Sequence, residues 1–247
     1  MQQTPVHEIH NGDLLSLIPA EAKIVVEIGC SSGALAREYK KRNRHCHYIG
    51  VDIDPGYVEL AKRHCDTAIT LDIEAADRTF LKEKLSSECW VFADSLEHLR
   101  DPWELLAKIR QIIPANGCIV ACIPNAQHWS VQARLAIGDF RYQDNGLLDR
   151  THLRWFTRVT IAEMFQQAGF EIVDGGSRVL QETMPTQIEP LIRGMATAQG
   201  MDADQAIHDA MTFQHVVKAV PVGVCAPPEP PKSMLSSIGA MLRGAKR

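Results

Sequence analysis

The sequence predicts an α/β fold in which helices flank a doubly wound parallel sheet, and three observations support this prediction. Residues 24–27 form an apolar, β-branched run that ends in an acid and enters a turn containing Gly29 and Gly33, as a buried parallel strand does before a helix. Further apolar runs then alternate with segments of helical periodicity. Acidic residues follow several of these runs, at the sheet edge where doubly wound folds bind their ligands.

Each strand is predicted from an apolar run and each helix from its periodicity and its ends. Pro55 suits the first turn of one helix, Gly169 suits the end of another, and residues 114–117 form a turn before the fifth strand. The predicted strands are 24–27, 48–51, 68–71, 89–93, 118–123, 170–173 and 214–220. The predicted helical segments are 13–18, 34–44, 56–64, 75–87, 101–113, 128–137, 160–168, 188–199 and 203–213.

We expect one domain at residues 23–225, because a chain of 247 residues is long enough to bury a single large core. The predicted parts of the chain are an N-terminal leader at 1–22, a lid insertion at 124–157, a helical insertion at 181–212, and a Pro-rich spacer with an amphipathic basic tail at 226–247. Residues 233–247 of the tail suit weak contact with a partner protein or an anionic membrane surface, or packing against the chain's own domain.

The composition is that of an ordinary soluble protein, with 45% hydrophobic residues, 23% charged residues and a formal net charge of −4. No dense Lys/Arg block lies inside the domain, so nucleic acid is not expected as a partner. The chain shows neither a secretory leader nor a long apolar run, and we expect a cytoplasmic protein. The seven cysteines form no C-x-x-C pair, and we expect reduced thiols and no metal site.

The glycine turn suits a ligand that the backbone approaches closely. Gly29 allows positive φ, and the turn and the helix after it are expected to offer backbone N–H groups to the ligand. The dinucleotide pattern G-x-G-x-x-G is absent, because Ser31 and Ala34 stand where its second and third glycines would fall. The pattern is instead E-x-G-x-x-x-G, beginning at Glu27, which resembles the first motif of class I S-adenosylmethionine (SAM)-dependent methyltransferases. An ordinary strand-to-helix turn is the alternative.

Two further acids are placed to hold an adenosyl group. Asp52 ends the second strand, where a carboxylate accepts both hydroxyls of a ribose, and Asp54 looks the better helix cap. Asp72 is a candidate acceptor for the adenine amino group, with Ile73 against the ring, although a solvated turn is an equal alternative. Glu27 is a candidate to orient the glycine turn or to accept from the methionyl ammonium, and Cys30 borders the turn as a small space-filling residue.

A second motif follows the fourth strand, where residues 94–99 read D-S-L-E-H-L before Asp101-Pro102. It is similar to the strand-four motif of the methyltransferase group that includes ubiquinone-biosynthesis and many sugar methyltransferases, and the resemblance covers about residues 23–123. It implies a Rossmann-like seven-stranded sheet ending in an antiparallel hairpin of strands six and seven, with SAM as cofactor and S-adenosylhomocysteine (SAH) as product. The expected cofactor-binding residues are Glu27, Gly29, Cys30, Gly33, Asp52, Ile53, Asp72, Ile73, Asp94, Ser95, Leu96 and His98.

The irregular segment 138–156 leaves the carboxyl edge of strand five and is expected to cover the acceptor as a lid. Its wording resembles methyltransferases associated with bacterial cell-surface glycans and sugar modification. A hydroxyl acceptor must lose a proton, and His152, beside Asp149, and His98 are the candidate catalytic residues; structural hydrogen bonding is the alternative for each. The candidate substrate-binding residues are His128, Arg141, Tyr142, Arg150 and Arg154.

The sequence therefore predicts a SAM-dependent methyltransferase that modifies a small molecule or a glycan, most simply at oxygen. A nicotinamide-dependent oxidoreductase and a non-catalytic module with the SAM-binding fold are the alternatives. Stabilisation by NAD alone would favour the first alternative, and absence of turnover would favour the second.

Overall fold

The computed structural model describes residues 8–180 and 183–223. Its centre is a seven-stranded sheet with the strand order β3-β2-β1-β4-β5-β7-β6. The strands are β1 (Ile24–Ile28), β2 (His47–Asp52), β3 (Thr67–Thr70), β4 (Cys89–Ala93), β5 (Cys118–Pro124), β6 (Phe170–Arg178) and β7 (Gln214–Pro221). The first five strands pair in parallel, whereas β7 is antiparallel to both β5 and β6. The predicted doubly wound sheet with an antiparallel hairpin is confirmed.

The helices lie where the periodicity predicts them, with ends set by local caps. They are α1 (Gly12–Leu17), α2 (Ala34–Arg42), α3 (Pro55–Ala61), α4 (Arg78–Lys84), α5 (Pro102–Arg110), α6 (Trp129–Ala136), α7 (Arg158–Gln167), α8 (Ile188–Ala198) and α9 (Ala203–Met211). Asp54 caps α3 by accepting from the N–H groups of Gly56 and Tyr57, as its position predicts. Short 3₁₀ helices follow β3 and β4, at Ile73–Ala75 and Leu96–His98.

Strand β6 starts at Phe170, as predicted, and it continues beyond residues 170–173 to Arg178, although the sequence after Val173 reads Asp-Gly-Gly-Ser, which is typical of a turn. The pairing with β7 continues through these glycines after an irregularity between Ile172 and Asp174. At Gly175 an added Cβ would lie only 2.4 Å from the carbonyl oxygen of Val216. The glycine therefore permits close approach of the two strands, where local composition alone favours a loop.

The core consists of two apolar layers, one on each face of the sheet. Trp90 and Phe92 of β4 are fully buried in one layer, and Tyr39 and Tyr48 in the other. Helix α1 belongs to the second layer through Leu14 and its neighbours, so part of the segment predicted as a leader packs on the sheet. No helix among the described residues is long and apolar enough to span a membrane. The tail predicted at 226–247 lies outside the described residues.

The sheet topology places one crevice at the carboxyl ends of the central strands. Strand β1 lies between β2 and β4, so the chain turns to opposite sides after β1 and after β4. In doubly wound sheets ligands bind outside the carboxyl edge at this point of reversal. The glycine turn and the residues after β2 and β4 all lie at this edge.

Candidate active site

A cavity of about 530 Å³ opens at the carboxyl edge of the sheet. This volume lies within the range of small-molecule pockets. Its walls come from the β1–α2 turn, the ends of β2 and β4, the segment after β3, the loop between α6 and α7, and residues 9–11 near the N-terminus. The cavity therefore joins the two sequence motifs to the irregular loop that follows strand five.

The glycine turn has the predicted left-handed geometry, with φ of 76° at Gly29 and 79° at Gly33. Its expected use of N–H groups is wrong for the first part of the turn. The N–H groups of Gly29 and Cys30 donate to the carbonyl of Val51 at 2.8 and 3.1 Å, and the N–H of Ser31 donates to Asp52 Oδ2 at 2.9 Å. These donors hold the turn against the end of β2, and they are not aimed at the cavity.

A side chain would be excluded at Gly29 and at Gly33 by different neighbours. A Cβ on Gly29 would lie 3.0 Å from Ser95 Cβ, so the β1 turn and the β4 motif are in direct contact. Gly33 does not line the cavity; it is the N-cap of α2, and a Cβ there would approach the backbone of Ala61 in α3 to 3.2 Å. Gly33 thus permits close helix packing, and the structure places it off the cavity that it was expected to line.

Cys30 lines the cavity but is 3% exposed. Its hydrogen bond with Cys65 and its burial raise the pKa of the thiol far above its usual range, so the thiolate form is strongly disfavoured. The six described cysteines, which exclude Cys225, are all buried free thiols. This is the small space-filling role expected for Cys30.

Asp52 and Ile53 both line the cavity, as predicted. The Asp52 carboxylate accepts from Ser31 N–H through Oδ2 and from Asp54 N–H through Oδ1, both at 2.9 Å. Burial raises the pKa of Asp52, while the backbone hydrogen bonds oppose this shift. Each carboxylate oxygen has a second lone pair, so the same group can hold the turn and accept from a ligand hydroxyl.

Glu27 is buried at the end of β1 and also lines the cavity. The hydroxyl of Tyr48 donates to its Oε2 at 2.9 Å. Burial raises the pKa of Glu27 from 4.5 to about 8; the Tyr48 hydrogen bond opposes this shift and the charge of Asp52 adds to it. An uncompensated acid beside a cavity is a candidate partner for a cationic ligand group.

The segment after β3 has mixed roles. Asp72 and Ile73 line the cavity, and the Asp72 side chain also caps the short helix by accepting from Glu74 N–H at 3.1 Å. After β4, Asp94 has a φ of 53° and accepts from the side chain of Gln214. Asp94 and its neighbour Ser95 line the cavity as predicted.

Leu96 does not line the cavity, although it belongs to the motif. It is fully buried in the apolar layer that contains Trp90. Its expected role in cofactor binding is therefore replaced by a role in the core.

The β4 motif and the irregular loop together bring a polar cluster of three residues, Glu97, His98 and His152, to the cavity. One possible ligand atom from each residue lies within 4.8 Å of those from the other two. The two imidazole rings meet edge to face with centroids 4.9 Å apart. His98 and His152, the two candidate catalytic residues, are thus brought together from distant parts of the chain.

Burial shifts the pKa values of all three side chains in this cluster toward their neutral forms. Glu97 is 1% exposed, and neither of its carboxylate oxygens has a hydrogen-bond partner within residues 8–180 and 183–223. Burial and the charges of Asp94 and Asp149 raise the pKa of Glu97 well above its usual value. Burial also lowers the pKa of His98 and lowers that of His152 to about 4, so both imidazoles are neutral near pH 7.

The backbone fixes the geometry of the cluster. The N–H groups of Leu153 and Arg154 donate to the carbonyl of Glu97 at 2.8 and 3.0 Å, which ties the irregular loop to the β4 motif. His152 Nδ1 lies 3.3 Å from the carbonyl of Leu147. The carboxylate of Asp149, the neighbour expected to orient His152, accepts from the N–H and hydroxyl of Thr151 at 2.7 and 2.6 Å.

The remaining candidates for substrate binding lie outside the cavity wall. His128 is buried as the N-cap of α6, with Nδ1 2.8 Å from Ser130 Oγ. Arg141 is paired with Asp139, Arg150 is paired with Asp144, and Arg154 donates to the carbonyl of Arg100. Local pairing therefore accounts for the three arginine charges.

The half-exposed Tyr142 packs beside Trp155 and Phe140 on the outside of the loop.

Sequence reasoning did not select several residues that line the cavity. Glu97 lies inside the quoted D-x-x-E-H-L motif, and that motif was the signal for it. Asn11 and its neighbours reach the cavity from the N-terminal segment, and Gln214 reaches it from the start of β7. Only the fold brings these last two close, since neither belongs to a recognisable pattern.

Comparison with known proteins gives the same fold. A chain of the complex between the Haloferax volcanii Trm112 methyltransferase activator and a methyltransferase is 17% identical, with a TM-score of 0.56 and coverage of 85% of this chain and 88% of that chain. Magnesium protoporphyrin IX methyltransferase from Synechocystis PCC 6803 with bound SAH is 12% identical, with a TM-score of 0.54 and coverage of 85% and 78%.

The plantazolicin methyltransferase BpumL, also in complex with SAH, is 13% identical, with a TM-score of 0.54 and coverage of 85% and 80%. Among curated proteins no match was found. The family model described as a methyltransferase domain matches residues 8–174, which is more than half of the chain. The match includes the glycine turn, Asp52, the β4 motif and the irregular loop. The chain therefore belongs to the methyltransferase domain family, and its fold is that of the methyltransferases described above.

Proposed function

We propose that this methyltransferase modifies a hydroxyl oxygen of a small molecule or a glycan. The observation that supports this most directly is the continuity of the cavity. One wall presents the acids placed for an adenosyl compound, and the other presents the cluster of Glu97, His98 and His152. Methyl transfer needs both reactants held in line and shielded from water, which a single cavity with two chemically distinct ends provides.

At the first end, the side chains fit the parts of SAM. The carboxylate of Asp52 is placed to accept from the ribose hydroxyls, and Glu27 is placed to accept from the methionyl ammonium. Ile53 and Ile73 supply apolar surface beside Asp72, which suits an adenine ring with its amino group. The buried hydroxyl of Ser95 has no hydrogen-bond partner in the part of the chain that the structure describes, so a ligand atom would satisfy it.

At the second end, the chain must hold the acceptor and receive its proton. When bound, SAM supplies a methyl group on a cationic sulfur that an oxygen can displace. The neutral imidazoles of His98 and His152 line the cavity, and we infer that the acceptor oxygen binds beside them. A lone imidazole with a pKa of about 4 is a weak base near pH 7, so we infer that the cluster acts as a unit.

The glycan reading is supported by the outside of the loop. Phe140, Tyr142 and Trp155 form an aromatic group with centroid separations of 5.7 to 6.3 Å. Phe140 and Tyr142 remain partly exposed there. Exposed aromatic faces of this kind suit the apolar faces of sugar rings. We propose a cytoplasmic glycan precursor as the preferred acceptor.

Two measurements test this proposal. The first is a thermal-shift comparison with SAM, SAH and NAD, in which SAM and SAH should stabilise the protein and NAD should not. The second follows transfer of a labelled methyl group from SAM to a panel of sugar nucleotides, amines and carboxylic acids. Methylation of amines alone would contradict the hydroxyl acceptor, and binding without any turnover would favour a non-catalytic module.

A matched pair of variants locates the acceptor end. His152→Ala should lower turnover at least tenfold while SAH affinity changes little, because His152 comes from the irregular loop and not from the strand ends that carry the adenosyl acids. His45→Ala, at an exposed position away from the cavity, is the control and should keep full turnover. An active His152→Ala enzyme would remove this residue from the mechanism.

A further inference from the structure

We propose that Glu97, His98 and His152 bind a divalent first-row transition metal ion. The sequence contains no metal-ligand spacing, so this site arises only from the fold. The 3₁₀ turn after β4 presents Glu97 and His98, and the loop after α6 presents His152. Their candidate ligand atoms all lie within 4.8 Å of one another.

The tautomers of both histidines suit metal binding. His98 Nδ1 lies 3.2 Å from the carbonyl of Thr151, and His152 Nδ1 lies 3.3 Å from the carbonyl of Leu147. A carbonyl only accepts, so each Nδ1 carries the proton and donates it. Each Nε2 then has a free lone pair, which is the arrangement of metal-ligating histidines whose other nitrogen is held by the backbone.

Glu97 provides an independent observation. It is 1% exposed, and neither carboxylate oxygen has a hydrogen-bond partner among the described residues. A buried carboxylate without a partner is costly, and a bound cation would compensate it. Its own backbone carbonyl accepts from Leu153 and Arg154, so the carboxylate is held next to His152 without a side-chain partner.

The imidazole and carboxylate groups of the cluster indicate which metal ions it can bind. Two imidazoles and one carboxylate favour Zn²⁺, Mn²⁺, Fe²⁺ or Co²⁺ over Ca²⁺, which prefers oxygen ligands. Metal–ligand distances of about 2.0–2.2 Å separate ligands by about 3–4 Å, so small side-chain rotations suffice to close the site. Three protein ligands leave positions open toward the cavity.

The open positions suggest a role in acceptor binding, and this role rests on the proposed function. A metal ion that binds an acceptor hydroxyl lowers the pKa of that hydroxyl, which would replace a strong general base. An acceptor with two adjacent oxygens, such as a vicinal diol, would fill two of the open positions. The preferred substrate class is therefore a hydroxyl flanked by a second oxygen.

Metal binding is tested without any acceptor. Tag-free, full-length protein treated with a chelator and then dialysed is titrated with CoCl₂ and with MnCl₂ by calorimetry. We expect saturable binding of one ion per chain, weakened at least tenfold by Glu97→Gln, His98→Gln or His152→Gln. His45→Gln, at an exposed position, should bind as the unaltered protein does. No saturation up to about 1 mM, or equal binding by Glu97→Gln, would overturn the site.

A second measurement needs no variant of the cluster. In protein labelled with ¹⁵N-histidine, Zn²⁺ should shift the Nε2 resonances of two histidines while their Nδ1 atoms keep their protons. Shifts confined to exposed histidines would overturn the site even if the glutamine variants failed to fold. Methyl transfer in the presence of chelator would overturn the catalytic role alone. Failure to find an acceptor would leave the metal titration as the deciding result, so the two proposals fail separately.

Discussion

Replacement of Glu27 by glutamine tests whether the cofactor end of the cavity is built for a cationic group. Glu27 is buried, and burial raises its pKa from 4.5 to about 8 against the opposing Tyr48 hydrogen bond. The folded chain therefore keeps this proton up to about pH 8, whereas the unfolded chain releases it near pH 4.5. The bound proton makes its full contribution to the free energy of unfolding below pH 4.5. This contribution decreases between pH 4.5 and pH 8 and is lost above about pH 8.

The magnitude follows from the same shift. One pKa unit corresponds to about 1.4 kcal/mol, so the ionised carboxylate costs the ligand-free folded state about 5 kcal/mol above pH 8. Glutamine has nearly the same shape and no charge. Glu27→Gln should match the unaltered protein near pH 4 and exceed its stability by about 3–5 kcal/mol near pH 8. For a chain of this size, that is a rise in Tm of about 10 °C.

The assay is ligand-free thermal unfolding between pH 4.5 and 9, with the exposed Glu21→Gln as a matched control. A parallel calorimetric titration with SAH at pH 8 should show at least tenfold weaker binding by Glu27→Gln, because the ammonium loses its charged partner. The same Tm difference at every pH would refute the electrostatic reasoning. Unchanged SAH affinity would remove Glu27 from the cofactor site.

Three further substitutions separate binding from architecture. Asp52→Asn should weaken SAH binding more than tenfold in calorimetry, whereas the helix-cap control Asp54→Asn should stay within about threefold, because Asn caps nearly as well as Asp. Gly29→Ala should lower the free energy of unfolding by about 1–3 kcal/mol in urea. Adding Ser95→Gly should remove the 3.0 Å contact and restore only part of this loss, because the strain of a positive φ remains at residue 29. His128→Ala should cost at least about 1 kcal/mol as a lost cap, yet leave the SAH affinity unchanged; a loss of affinity would return His128 to the site.

The cofactor end was predictable because its chemistry follows strand ends. Asp52, Asp72 and Asp94 each come directly after an apolar run, and parallel strands bring their carboxyl ends to one edge. The fourth strand was predicted at its observed bounds, Cys89–Ala93, for the same reason. The hydrogen bonds between the glycine turn and β2 were not predictable, because nothing local indicates which backbone donors another strand will occupy.

The acceptor end was only partly predictable. His98 and His152 were selected as chemically capable residues, and the structure places both on the cavity. The loop has no periodicity, so its outward side chains, such as Arg141 and Tyr142, could not be told from its inward ones. Glu97 is not selected by the sequence, because its burial without a side-chain hydrogen-bond partner among the described residues becomes apparent only when a distant segment packs against it.

The attachment of the loop to the carbonyl of Glu97 has an evolutionary consequence. Two main-chain bonds hold Leu153 and Arg154, and such bonds do not depend on the side chains that the loop carries. The outer stretch around Phe140 and Tyr142 is therefore free to diverge between descendants while His152 keeps its place. A change of this surface segment can then alter what the outside of the loop binds, while the cluster of Glu97, His98 and His152 stays in place.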